Sequence, residues 1–435
     1  MKYLFLYLCC VAISASSQAQ SAYAQLPPIP EAVSNNAVTG IWLKDTFYVY
    51  SFAGINASKL WSGIHLKSWC FNYQSKKWQA LPALPDPAGG KIAAAASAVK
   101  NHIYVIGGYH VAANGTETSS NKVHRFDPIT QQWLGDGAPI PKAIDDHVQA
   151  VWRDSLIYVV TGWSNTQNVA DVQVYNPAKD AWLSGTPVPN QANYKVFGAS
   201  GVIYNDTLYY CGGARDGNNF PPTTFFRKGY INPNNPTQIN WSGSNQPAAR
   251  GYRMAAALVA GRPVWVGGSD ITYNYNGIAY NGSGGVPALS RFKEYHPENG
   301  ALVNNPTDTL NLPAIMDLRG TAQLASDVFI TVGGMGSGQQ VSDRVFVYHW
   351  NNTVPVAVPA QATAVKMYPN PASDYVDIEA EGDFELVLSS TLGVPIVSAK
   401  GREQLRLFLA GIPPGAYTVS FQSKHARRNL SLILI

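Results

Sequence analysis

Short apolar runs bounded by Gly, Pro, Asn and Asp recur along most of the 435-residue chain. Runs of that length, rich in β-branched and aromatic residues, predict strands rather than helices. They come in groups of four, clearest in KIAAAASAV (from Lys91), HIYVIGG (to Gly108), VHRF (to Phe126) and QQWLG (from Gln131). The second run of each group closes on a glycine: Gly54, Gly108, Gly162, Gly213, Gly268 and Gly334. The spacings between these glycines are 54, 54, 51, 55 and 66 residues. Periodicity of this size predicts a propeller or a solenoid.

The third runs end on an aromatic residue, or on Ile231 in the fourth group, followed by an exit turn, as at Phe71-Asn72, Phe126-Asp127-Pro128, Tyr175-Asn176-Pro177, Ile231-Asn232-Pro233, Tyr295-His296-Pro297 and Tyr348-His349. Asp and Asn suit that turn because their side chains bond the local backbone. A tryptophan opens the fourth run at Trp78, Trp133, Trp182 and Trp241, with Leu302 in its place in the fifth group. Doublet, turn and tryptophan together resemble kelch-repeat β-propellers over roughly residues 21 to 355. The resemblance implies an all-β fold with six blades of four strands.

The sixth group ends after VFVYHW, without a fourth strand of its own. SAYAQLPPIP (Ser21 to Pro30) parallels KKWQALPALP (Lys76 to Pro85), with Tyr23 at the tryptophan position. The N-terminal segment is therefore expected to complete blade six and remove an open sheet edge. Residues 1–19 have the charge, apolar core and small residues of a signal peptide. Cleavage is expected after Ala19, because cleavage after Ala24 would remove Tyr23.

Low charge (13%) with 38 Gly and 29 Pro suits an exported β-protein. Without Lys2 the balance is Lys+Arg 30 against Asp+Glu 27, too small and dispersed to predict nucleic-acid binding. No apolar stretch beyond the leader approaches a membrane span. Cys70 and Cys211, the two cysteines beyond the leader, are expected as buried free thiols. The propeller, residues 20–355, is expected to be monomeric.

A linker (356–364) rich in proline and small residues leads to alternating apolar strands over 365–435, which predict a small β-sandwich. Tyr368-Pro369-Asn370-Pro371, Leu392-Gly393 and Pro414-Gly415-Ala416-Tyr417 resemble the C-terminal sorting domain of the Bacteroidetes type IX secretion system. That resemblance implies the type IX machinery as a partner and a destination in the medium or on the outer-membrane surface.

Strand order puts the inner-strand starts and the long second-to-third-strand loops on one face. The loops carry Trp61, Tyr109, Trp163, Phe220, Tyr273, Tyr275 and Tyr280 among Asn, Asp and Gly. Such rings suit stacking on sugars, or packing within their own loops. The inner-strand starts add Lys91, Asp145, Asp146, His147, Lys195, Arg250, Arg253, Asp317 and Arg319, with His147, Arg253 and Arg319 expected at equivalent places. Two outcomes are open for this set: it holds a carboxylate or acidic sugar, or its members pair with one another across the channel.

No nucleophile elbow, HExxH or phosphate loop occurs. Scattered histidines disfavour copper chemistry of the galactose-oxidase kind, so neither metal nor cofactor is expected. Asp145, Asp146, Asp317 and His147 would be the acid–base candidates, but no catalytic set is selected among them. The chain reads as a recognition module for glycan or protein, the alternative being a carbohydrate-active enzyme of the sialic-acid mutarotase or epimerase kind.

Overall fold

The computed structural model describes residues 23–273, 286–305, 312–350, 365–390, 395–423 and 427–435. The expected leader and linker, and Tyr275, Tyr280 and Gly393, lie outside the described residues. The chain divides into two units, Met1–Asn351 and Asn352–Ile435.

The first unit is a six-bladed propeller of antiparallel sheets. Blade one contains Ala37–Leu43, Thr46–Ile55, Ile64–Asn72 and Lys77–Leu81 in that order from the axis outward. The other inner strands are Ile92–Val99, Val148–Trp152, Phe197–Tyr204, Ala255–Val259 and Ala322–Ala325. Each pairs within its blade on one side only, which leaves its other edge facing the axis. Blade six is closed by the N-terminal strand Tyr23–Leu26, which pairs with Val345–His349 in the register Tyr23↔Tyr348 to Leu26↔Val345. The last sheet edge therefore comes from the opposite end of the propeller sequence.

The glycine doublet acts as a joint between blades. The second strand's end donates its N–H to the start of the next blade: Gly108 to Ile144 O at 3.0 Å, Gly213 to Gly251 O at 2.7 Å, and Gly334 to Val33 O at 2.9 Å. A Cβ on Gly212 would lie 2.1 Å from the Gly251 carbonyl, and one on Gly333 2.3 Å from that of Val33. Both also hold φ near +70° (71° and 69°), which costs a side chain further. In blade three Thr161 stands at the first doublet position, and its hydroxyl accepts the Val196 N–H at 3.0 Å.

The tryptophans form a second joint. Trp78, Trp133 and Trp182 lie opposite Phe71, Phe126 and Tyr175. Their Nε1–H groups donate to Pro27 O, Pro82 O and Ala138 O of the preceding blade at 3.0, 2.9 and 2.7 Å. Leu302 does lie opposite Tyr295. The fourth blade departs from expectation: Ile239 opposes Ile231, and Trp241 lies farther along the strand, opposite Gly229. A Cβ on Gly229 would meet that indole at 2.4 Å, so the missing side chain makes room for the displaced ring. Trp241 still bonds the preceding blade, at Thr186 O, 2.9 Å. Cys70 and Cys211 are buried and free.

The second unit is a small β-sandwich. Tyr375–Ser390 pairs with Pro395–Phe408 on both sides of a register break between Glu379 and Asp383. Before the break its other edge takes Lys366–Tyr368; after it, Gly415–Ser423, followed by Arg427–Leu434. Ile378, Phe384, Leu386, Leu388, Phe421 and Leu432 form its core.

Candidate functional site

A ring of six residues surrounds the axis at the inner-strand starts. In each blade the residue after the closing glycine bridges to a residue near that start: Ile55 to Ser34, Trp163 to Asp145, Ser269 to Tyr252 and Met335 to Met316. Tyr109 with Ile92 and Ala214 with Phe197 follow the same rule. The next residue in each blade is Asn35, Ala93, Asp146, Gly198, Arg253 or Asp317, all with φ from 47° to 67°.

These residues are stitched to one another. Asp146 N–H donates to Ala93 O at 3.1 Å, Gly198 to Asp146 O at 2.9 Å, Arg253 to Gly198 O at 2.9 Å, and Asn35 to Asp317 O at 3.2 Å. Leu318 N–H closes the step to Arg253 O at 3.1 Å, and Ala93 N–H donates to Asn35 Oδ1 at 3.0 Å. The equivalence expected of His147, Arg253 and Arg319 is therefore corrected. Asp146, Arg253 and Asp317 are the equivalents; His147 lies one residue and Arg319 two residues beyond theirs. Counting back from the closing glycine misplaced them because blade three turns from Trp152 to Leu156 through a longer hairpin than blade five uses from Val259 to Arg262. Blade six is lengthened both at its register shift between Gln323 and Ala325 and ahead of Ala322.

Three ring positions are ionic, and they pair. Arg253, from blade five, donates to Asp146 Oδ2 in blade three at 2.6 Å and to Asp317 Oδ1 in blade six at 3.0 Å. Gly198 lies between blades three and five with no side chain to obstruct the reach. Ser34 Oγ and Tyr273 OH donate to Asp317 at 2.6 and 3.2 Å. Arg319 gives two hydrogen bonds to carbonyls, His147 O at 3.1 Å and Ala93 O at 3.3 Å. Its Nη1 is 3.5 Å from Asp146 Oδ1, an ion-pair distance without a hydrogen bond.

Burial dominates the titration of this cluster. It pushes Asp145 well above the ordinary carboxylate range, helped by the charge of Asp146 and opposed by the Ser119 hydroxyl. It raises Asp317 against the pull of Arg253. It raises Glu117 to about 7, with Arg253 opposing and Asp146 assisting. It lowers His147 to about 3, reinforced by Arg319, so the imidazole is neutral. Glu117 comes from Glu117–Ser119, a short strand added to the second strand of blade two. Its placement has no sequence signal, because three β-residues inside a polar loop leave no periodic pattern.

Above the ring, on the loop face, an apolar cluster seals the axis. Ile92, Ala93, Tyr109, Phe197, Tyr252 and Met316 belong to it, along with Tyr273. Tyr109 and Tyr273 are buried, and Trp163 meets Phe197 and Phe220 edge-on at 5.6 and 5.5 Å. Of the described loop rings, these four pack inward. Trp61 stays 41% exposed, with Leu60 and Ile271 also in solvent. Lys91 lies outside the ring: its Nζ meets Asp86 Oδ2 at 2.5 Å, Ser120 Oγ at 3.1 Å and His124 Nε2 at 3.1 Å. At the corresponding positions in blades one and three stand Val33 and Ile144, so a charged network replaces an aliphatic contact.

Below the ring the inner strands enclose a cavity of about 390 Å³. His147 and Arg319 stand at its closed end, and Thr39, Ser97, Gln149, Ser200, Thr321 and Gln323 lie among alanines and glycines along its walls. Exposure rises toward the hairpin ends of the strands, so the cavity opens on the face opposite the long loops.

In the sandwich, Asn370 ties the motif Tyr368-Pro369-Asn370-Pro371 to the last strand. Its Nδ2 donates to Ser431 O at 2.7 Å, and its Oδ1 accepts the Ile433 N–H at 2.9 Å. Tyr417, two residues beyond Gly415, donates its hydroxyl proton to Pro413 O at 2.6 Å.

Known proteins agree with this geometry. Residues 38–268 match the KLHDC2/KLHL20/DRC7 Kelch-repeats domain, and residues 366–434 match the secretion system C-terminal sorting domain. Kelch-like protein 25 of Xenopus tropicalis is 28% identical over 38% of this chain, a stretch spanning 25% of that relative's length. Kelch-like protein terF of Aspergillus terreus is 24% identical over 43% of this chain and 40% of its own. The chain thus spans well under half the length of these curated relatives. A solved structure titled "Structure of YjhT" superposes with a TM-score of 0.58 and 18% identity, over 75% of this chain and 98% of that one. That likeness concerns the fold alone.

Proposed function

The chain belongs to the kelch-repeat family, and from that premise we propose that its propeller, once exported, is a recognition module for a protein partner on its long-loop face. The sorting domain marks the chain for type IX export, to the cell surface or beyond. We read residues 1–19 as the leader that starts this route and the propeller as a monomer.

One observation carries the proposal. On the loop face the axis is sealed by apolar packing and the ionic ring, so a partner meets a surface and not a hole. Leu60, Trp61 and Ile271 are described large apolar side chains left in solvent there. Aliphatic groups beside a single indole suit a protein interface. The described rings that would stack on a sugar are mostly turned inward.

The test is a photo-crosslinking amino acid placed at position 61 or 271, with position 129 on the opposite face as control. A discrete adduct from the first two positions and none from the third is expected. Glycan-array binding abolished by Trp61→Ala would replace the protein with a sugar.

A second reading, the carbohydrate-active enzyme, rests on Glu117. Its carboxyl, raised to about 7 by burial against the pull of Arg253, falls in the range a general acid–base uses. Turnover of a bound sugar that Glu117→Gln removes would favour that reading.

A further inference from the structure

We propose that the axial cavity on the hairpin face is a binding site for a small neutral polyol of up to monosaccharide size, distinct from the loop-face surface and independent of its role. Three observations converge on it.

The first is the wall. Six inner strands pair on one side only, so their free edges present N–H and C=O groups to the axis. Some are met by neighbouring blades: Thr321 Oγ1 donates to Ala256 O at 2.9 Å, and the Leu258 N–H reaches Gln323 Oε1 at 3.2 Å. The remainder must be matched by whatever occupies the cavity, since buried backbone groups are rarely left unpaired. A hydroxyl donates and accepts at once, so a chain of hydroxyls can follow alternating donors and acceptors on a strand edge.

The second is the closed end. Gln149 Nε2 is committed to Ser97 Oγ at 2.8 Å, which turns its Oε1 toward His147 Nε2 at 3.0 Å. His147 therefore carries its proton on Nε2 and leaves Nδ1 as an acceptor. Nδ1 has no protein partner, nor have Arg319 Nε and Ser200 Oγ. All three residues line the cavity, and His147 and Arg319 are more than nine-tenths buried. All three atoms lie behind the cavity wall with almost no accessible surface, so the polar groups a ligand meets here are those of the lining residues Thr39, Ser97, Thr321 and Gln323.

The third is charge and size. No carboxylate lines the cavity among the described residues, and the one guanidinium there already faces Asp146. Nothing in the wall favours an ion. A volume of about 390 Å³ falls in the range of about 300–1,000 Å³ usual for small-molecule sites. The competing occupant is a column of about a dozen waters, at roughly 30 Å³ each.

The experiment uses the full mature chain. Saturation-transfer NMR and calorimetry are run with xylitol, myo-inositol and D-glucose, with acetate as the anionic control. At least one polyol should bind, acetate should not, and Thr39→Val with Thr321→Val should weaken binding at least tenfold. Those two substitutions remove hydroxyls at nearly constant volume, and unchanged thermal unfolding would show that the fold persists. Trp61→Ala should leave polyol binding intact, which separates this site from the loop face. A crystal soaked in the binding polyol should show it on the axis. Ordered waters alone, no binding, preference for acetate, or binding that survives the double substitution would each overturn the assignment.

Discussion

Trp78 of blade one donates its indole N–H to Pro27 O at 3.0 Å, and Pro27 directly follows the strand that completes blade six. The ring is therefore latched twice at one place: by the Tyr23–Leu26 pairing and by a tryptophan joint of the kind that recurs between other blades. Tyr23 adds ring contacts to Phe346 and Tyr348, with centroids at 5.6 and 6.4 Å.

A mature chain beginning at Gln25 should consequently be less stable than one beginning at Gln20. Loss of half the strand and of the Tyr23 ring is expected to cost about 2–4 kcal/mol, in the range of large-to-small core truncations. Trp78→Phe should cost about 1 kcal/mol for the one hydrogen bond. Denaturant unfolding of the two chain lengths measures the first, and N-terminal sequencing of exported protein should find Tyr23 retained.

Arg253→Met leaves Asp146 and Asp317 buried without their shared guanidinium. Removing one partner of a buried ionic pair typically costs about 3–5 kcal/mol, because the remaining charge is uncompensated. The loss should be largest at neutral pH and shrink on acidification, as the stranded carboxylates take up protons. An unfolding midpoint that barely moves at pH 7 would mean that the ring's ionic contacts are dispensable to its backbone stitching.

Gly333 and Gly338 have similar φ, 69° and 65°, but different surroundings. A Cβ on Gly333 meets the Val33 carbonyl at 2.3 Å, whereas one on Gly338 meets nothing within 4 Å. Gly338→Ala should therefore show the conformational cost alone, about 1–2 kcal/mol. Gly333→Ala should exceed it by at least about 1 kcal/mol, since blade six must shift from blade one to admit the methyl. Equal costs would show that the joint yields freely.

Blade number, the borrowed closing strand and most of the tryptophan joints were legible in the sequence because each rests on a residue type that few substitutes can replace. Only glycine tolerates both the φ and the carbonyl at Gly212 or Gly333, so the doublet survives as text. The ionic ring was half legible. Asp146, Arg253 and Asp317 were picked out as charged residues at strand starts, but a one-residue offset decides whether a side chain faces the axis or a neighbouring blade. Lys91 stands two residues before Ala93 and points into the charged network of Asp86 and His124, as spacing alone could not show. Trp241 moved along its strand because Gly229 opened a space there, a three-dimensional condition without a linear signature.

His147 and Glu117 give opposite signs to the pH dependence of stability. The folded state holds His147 at about 3 against an ordinary 6.5, because burial and Arg319 disfavour its charge. Between those values the unfolded chain binds a proton that the folded chain does not, so stability falls as pH falls, by about 1.4 kcal/mol per unit. Glu117 is raised from 4.5 to about 7, so in that window the folded chain holds the extra proton and stability falls as pH rises. The two contributions oppose each other between pH 4.5 and 6.5, and the wild-type curve alone conceals both. His147→Gln, which keeps a polar group beside Gln149, should gain on the wild type as pH drops from 6 to 4. Glu117→Gln should gain on it as pH rises from 5 to 7. Unfolding free energies of the three proteins across pH 4 to 7 measure both slopes. A difference between His147→Gln and wild type that stays flat with pH would mean that the imidazole accepts a proton inside the folded ring, contrary to its sealed position between Arg319 and Gln149.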